Sequence, residues 1–106
     1  MAHSDQSNNP GLLHDELSLS IDELSALSGV EIRLIVEMVD HAILEPRGAN
    51  TRDWRFPAPA LPRVRRALRL RHDLELNWPG VCLAIELLEQ IADLKRRQRA
   101  LLRRLG

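Results

Sequence analysis

The chain has 106 residues, 44% of them apolar and only three aromatic, which suits one small domain with a modest core. A single cysteine, Cys82, excludes a disulfide framework and a multi-cysteine metal site and points to a reducing compartment; within its apolar helical stretch it reads as a small buried hydrophobe. The formal net charge of zero conceals a division: residues 1–50 hold two basic and nine acidic residues, residues 51–106 thirteen and six, so the chain carries either an interaction surface or two halves that neutralise each other.

The polar first ten residues lack the apolar centre of a signal peptide, and residues 1–15 read as a disordered tail. No stretch reaches the ~18 uninterrupted apolar residues of a spanning helix, so the expectation is a soluble, cytoplasmic protein without membrane contact. Leu12 and Leu13, followed by the alternation Leu17-Ser18-Leu19-Ser20, predict a short edge strand. Ser20-Ile21-Asp22-Glu23 then forms a capping box, because the Ser20 hydroxyl can accept from the N–H three residues on while Glu23 reaches back. A first helix carries Ile21, Leu24 and Leu27 on one face and stops at Ser28-Gly29. A second, from about Ile32 to Ala42, has Ile32, Ile35, Val36 and Val39 as its apolar stripe. Two short helices around a glycine turn make a helix-turn-helix candidate.

Residues 47–52 have turn composition, and Asp53-Trp54-Arg55-Phe56 reads as a returning strand, so the segment predicts a β-hairpin wing. Pro57, Pro59 and Pro62 precede or open a third helix over about Leu61–Leu76, with Leu61, Val64, Leu68 and Leu74, and Ala67 and Leu70 nearby, turned to the core and Arg63, Arg65, Arg66, Arg69 and Arg71 covering the remainder. Asn77 then caps a last helix that runs to Leu105, about 40 Å at 1.5 Å per residue. Within it Leu87, Ile91, Leu94, Gln98, Leu101 and Leu105 alternate steps of four and three, the seam of a coiled coil. No other segment matches that length, so the seam predicts a homodimer over residues 77–106, with Gln98 setting register; the alternative is one amphipathic helix folded on its own core.

Chemistry has no foothold: there is no phosphate loop, no nucleophile elbow and no metal-ligand spacing, and His3, His14, His41 and His72 are scattered. Neither an enzyme nor a cofactor is expected. A winged helix-turn-helix raises DNA binding, but a recognition helix must approach two rows of phosphates. Here it offers Arg33 against Glu31, Glu37 and Asp40, with Asp22 and Glu23 on the preceding helix, a balance that disfavours DNA. An acidic helix-turn-helix can instead hold a basic helical surface of another protein, given apolar anchors. Trp54 on the wing and Trp78 at the helix junction are the candidates, although Trp78 beside Pro79 also suits a core plug.

The stretch from Ser20 to Pro46, ending Ile43-Leu44-Glu45-Pro46, resembles the N-terminal domain of MerR-type regulators. Arg69-Leu70-Arg71-His72-Asp73-Leu74, then Asn77-Trp78-Pro79-Gly80 and Ile91-Ala92-Asp93-Leu94-Lys95, are similar to the CbpM chaperone-modulator family, and the likeness spans about residues 17–105. MerR regulators carry a second basic residue three positions after the one matched by Arg33, followed by aromatics; Val36, Glu37 and Met38 stand there instead. The resemblance implies a mainly α fold: a MerR-like winged helix-turn-helix over residues 16–76, with a small β-hairpin wing and a long C-terminal coiled-coil helix. It also implies an adaptor that binds the J-domain of a CbpA-type, DnaJ-like co-chaperone and blocks its stimulation of DnaK. Such J-domains present a basic second helix, so Asp22, Glu23, Glu31, Glu37 and Asp40, with Trp54, are the expected contacts. A DNA-binding transcriptional regulator is the competing reading.

Overall fold

The computed structural model describes residues 17–106, so the expected tail and the Leu12 and Leu13 part of the expected edge strand lie outside the described residues, while its Leu17-Ser18-Leu19-Ser20 part forms no strand, only an isolated bridge at Leu19. Among the described residues four helices follow in order: α1 (Ile21–Ser28), α2 (Ile32–Asp40), α3 (Ala60–Leu74) and α4 (Trp78–Leu105), with a 3-10 turn, Thr51–Asp53, between α2 and α3.

The local start and stop signals act as the sequence predicts. Ser20 Oγ accepts from Glu23 N–H at 3.1 Å while Glu23 accepts from Ser20 N–H at 2.8 Å, closing the capping box. Gly29, at φ 74°, ends α1 in the left-handed region. Helix α2 stops two residues earlier than expected because Ala42 turns left-handed (φ 60°), which sends the Ile43 and Leu44 N–H groups back to the Met38 carbonyl at 2.8 and 3.4 Å. That reversal drives Ile43 and Leu44 into the core. Asn77 accepts from Gly80 N–H at 2.9 Å and starts α4 with Pro79 in its first turn.

The core gathers Leu24, Ile35, Met38, Ile43, Phe56, Val64, Val81 and Ile85, all fully buried. Helix α3 is its hub, packing on α1 and α4, while α1 packs on α2. The faces rotate slightly from expectation. Ile35 and Met38 carry the α2 contact, with Val36 and Val39 at its edge and Ile32 exposed. In α3, Val64 and Ala67 are buried as expected, together with Ala60; Leu61, Leu68 and Leu70 pack against the core while partly buried, and only Leu74 of the expected face is exposed. Small residues on α3 let its axis lie close to the core, which leaves less depth for the larger leucines flanking them.

Two expectations fail. No β-hairpin wing forms among the described residues; the fold is all-α with two isolated antiparallel bridges, Leu19 to Phe56 and Arg47 to Arg55. The reason is the backbone donors. Asp53 N–H returns to Asn50 and Trp54 N–H to Thr51, closing a 3-10 turn, so neither crosses to a partner. Arg55 and Phe56, being adjacent in extended chain, then point their backbone groups in opposite directions, one to Arg47 and the other to Leu19. Pro57 has no N–H to extend either ladder. The coiled-coil architecture fails as well: α4 is a single helix, and among the described residues no second helix forms a coiled coil with it. Its first turns bury Trp78, Val81 and Ile85, and beyond them the helix projects with Leu87, Ile91, Leu94, Leu101 and Leu105 exposed.

Candidate partner-docking face

The expected acidic set occupies two helices with different fates for each carboxylate. Asp22 and Glu23 sit in the first turn of α1, where the partial positive charge of the helix N-terminus favours them. Glu23 is held in the capping box, and the Ser20 backbone N–H that donates to it is the chief reason its carboxyl lies below the usual range. Glu31 stands at the N-cap of α2 without a side-chain capping bond and lies 3.6 Å from Arg33. Asp40 is exposed at the last residue of α2.

Glu37 differs from the others in being half-buried and engaged. It accepts from the Trp78 indole N–H at 2.6 Å and from Arg33 at 3.1 Å, with Arg71 at 3.9 Å. The Trp78 bond is the largest cause of its depressed pKa; desolvation opposes it, and Arg33 and Arg71 add to it. Arg71 also lies over the Trp78 ring, 4.2 Å from its centroid. Trp78 is therefore the core plug of the helix junction, 6% exposed. Trp54 is half-buried and meets Phe56 edge to face at 6.0 Å, so its ring closes the side of the core next to the 3-10 turn.

The arginines carry structural work that pattern and composition do not reveal. Arg63 donates to the Ile43 carbonyl at 2.6 Å and pairs with Glu89 of α4; Arg65 donates to the Leu27 carbonyl at 3.1 Å; Arg55 donates to the Ser18 hydroxyl and carbonyl at 3.0 and 2.9 Å. Each closes a carbonyl that a short helix or turn leaves open. Partners twenty or more residues away leave no periodic trace, so only the surplus of arginines on α3 hinted at them.

Among the described residues no group of three or more His, Cys, Asp and Glu could hold a metal ion, and no helix is long and apolar enough to cross a membrane. Burial, with Glu86 nearby, pushes the Cys82 thiol up, which leaves it a poor nucleophile.

What remains on the helix-turn-helix is a surface of carboxylates whose one recognition-helix cation, Arg33, is already shared between Glu31 and Glu37. The profile of the MerR HTH family regulatory proteins matches residues 19–103. The chain is 40% identical to the chaperone modulatory protein CbpM of Coxiella burnetii (strain Dugway 5J108-111) over 83 residues, 78% of each chain. It is 37% identical to the chaperone modulatory protein CbpM of Pseudomonas putida (strain F1) over 90 residues, 85% of this chain and 89% of that one. A likeness of that extent, running through the acidic helix-turn-helix, the Trp78 junction and most of α4, makes this chain a member of the CbpM family of chaperone modulators, a regulatory rather than a catalytic line within the MerR-type helix-turn-helix proteins.

Proposed function

We propose that this chain acts in the cytoplasm as a chaperone modulator that binds the J-domain of a CbpA-type, DnaJ-like co-chaperone and blocks its stimulation of DnaK. The observation that carries this reading is the state of Arg33. Paired with Glu31 and Glu37, it leaves the recognition helix without a free cation, whereas Asp22, Glu31 and Asp40 are exposed. A surface of that sign attracts a basic helix and repels phosphate. Asp22, Glu23, Glu31 and Asp40 supply the partner-facing charge. Glu37 holds that face to α4, and Trp54 supplies an apolar contact to the partner. The stripe Leu87, Ile91, Leu94, Gln98, Leu101 and Leu105 carries self-association of the chain.

Titration calorimetry against the J-domain of the cognate co-chaperone, at two salt concentrations and with a DNA duplex as parallel titrant, tests this. Saturable J-domain binding that weakens with salt, and weakens further in Glu31→Lys with Asp40→Lys, is expected. Salt-sensitive duplex binding without J-domain binding would return the chain to DNA regulation.

A further inference from the structure

The five arginines of α3 divide sharply. Arg63, Arg65 and Arg71 each reach a carbonyl, carboxylate or indole of another element, whereas Arg66 and Arg69 make no hydrogen bond or ion pair with a described residue. Both of the latter line the same groove, about 640 Å³ in volume, between α3, the chain leaving α2 and the flank of α4. Phe56 and Ile43 lie beneath it, closed to solvent, and half-buried Pro57 with exposed Pro59 and Pro62 forms its accessible apolar wall. Arg63 holds one of its two carboxylates, Glu89, leaving Glu45 unpaired among the described residues.

We propose that this groove is a docking surface for an acidic segment of a protein partner, separate from the acidic face and of opposite sign. A carboxylate set against Arg66 and Arg69 would receive planar, forked donors at two adjacent positions, a geometry that lysines could not offer. An aliphatic or proline side chain next to it covers Pro57, Pro59 and Pro62, the apolar wall that solvent reaches. The three prolines supply no N–H on that side, so the segment is held by side chains and not by added strand pairing. The volume is that of a site for a few residues. Glu45 and Glu89 oppose a continuous row of phosphates, so a peptide with separated carboxylates fits where a nucleic acid does not. The proposal does not depend on the J-domain reading, because it concerns different residues and the opposite charge.

Amide-shift titration of the full chain with short synthetic peptides that combine leucine or proline with aspartate or glutamate tests it, alongside the same peptides with amides in place of carboxylates, inorganic phosphate and a DNA duplex. Acidic peptides should move the amides of Leu44, Glu45, Phe56 and Arg63, and the amide versions should bind about ten-fold more weakly or worse, as the loss of a charge-assisted pair requires. Arg66→Ala with Arg69→Ala should lose binding to the same degree while keeping its circular dichroism and melting temperature, since neither side chain has an internal partner. Arg66→Lys with Arg69→Lys should retain part of it. The proposal is overturned by no shift at the groove with any peptide, by equal binding of the amide versions, by unchanged binding in the double alanine variant, or by duplex or phosphate occupying the groove in preference to peptide.

Discussion

Trp78 donates its indole N–H to Glu37 across 2.6 Å, so the first residue of α4 is hydrogen-bonded to the recognition helix of the helix-turn-helix. Arg71, from the end of α3, lies against both of them. Three helices thus meet at one small cluster, and the direction in which α4 leaves the domain is set there. Trp78→Ala removes the plug and should cost about 3–5 kcal/mol in urea unfolding, the range for truncating a buried tryptophan. Trp78→Phe keeps most of the volume and loses only the donor, so its cost should be clearly smaller. Equal losses in the two variants would mean that the hydrogen bond, and not the packing, dominates the junction.

Acid should loosen the same cluster and the Ser20 cap of α1. Glu37 and Glu23 both have carboxyls lowered from an ordinary value of 4.5, the first chiefly by Trp78 and the second chiefly by the Ser20 N–H. A carboxyl lowered on folding binds fewer protons in the folded than in the unfolded chain. Its stabilising effect is therefore complete above the unfolded value and disappears as pH falls through the folded one. The melting temperature should hold steady from neutral pH downward and decline below about pH 4.5. The variant Glu23→Gln with Glu37→Gln should melt lower at neutral pH and show a shallower acid limb. Superimposable acid limbs would place the linkage on other carboxylates.

Gly48 should be intolerant of a side chain. Its φ of 120° lies where L-residues rarely go, and an added Cβ would stand 2.5 Å from the Asp53 carbonyl oxygen. That oxygen belongs to backbone and cannot swing aside. Gly48→Ala should cost about 1–3 kcal/mol through strain and should disturb the Arg47 to Arg55 bridge, seen as faster exchange of the Arg55 amide. By contrast, Gly29 faces open space, so Gly29→Asn, which tolerates the left-handed region, should be mild. A Gly48 variant as stable as Gly29→Asn would show that the turn can rearrange.

How far the sequence reveals this molecule depends on the separation of the interacting residues. Ser20 with Glu23 and Asn77 with Gly80 are three apart, and such caps are legible because local chemistry decides them. The wing misleads because Asp53-Trp54-Arg55-Phe56 has strand composition, yet whether Asp53 and Trp54 donate across a sheet or back into a turn is settled by neighbours outside the segment. The acidic character of the helix-turn-helix is visible from composition. The capture of Glu37 by Trp78 and Arg71 is not, because those partners join it only once α3 and α4 are packed. Counting carboxylates finds the face but cannot tell a free charge from an engaged one.

The projecting half of α4 gives the last expectation. Its core contacts end at Ile85, whereas Leu94 and Leu101 are 61% and 57% exposed, so charges placed there should not unfold the domain. A row of leucines left in water on a helix this long is stable in isolation only at a cost in solvation, which a second apolar surface would relieve. If self-association supplies that surface, Leu94→Arg with Leu101→Arg buries guanidinium groups without partners among the existing cations Lys95, Arg96, Arg97 and Arg99, and repulsion adds to desolvation. Light scattering should then report the monomer mass for the double variant and a larger mass for the parent chain, with unchanged helical circular dichroism in both. The same mass for parent and variant would remove the leucine stripe as an association surface and leave α4 a solitary helix in solution.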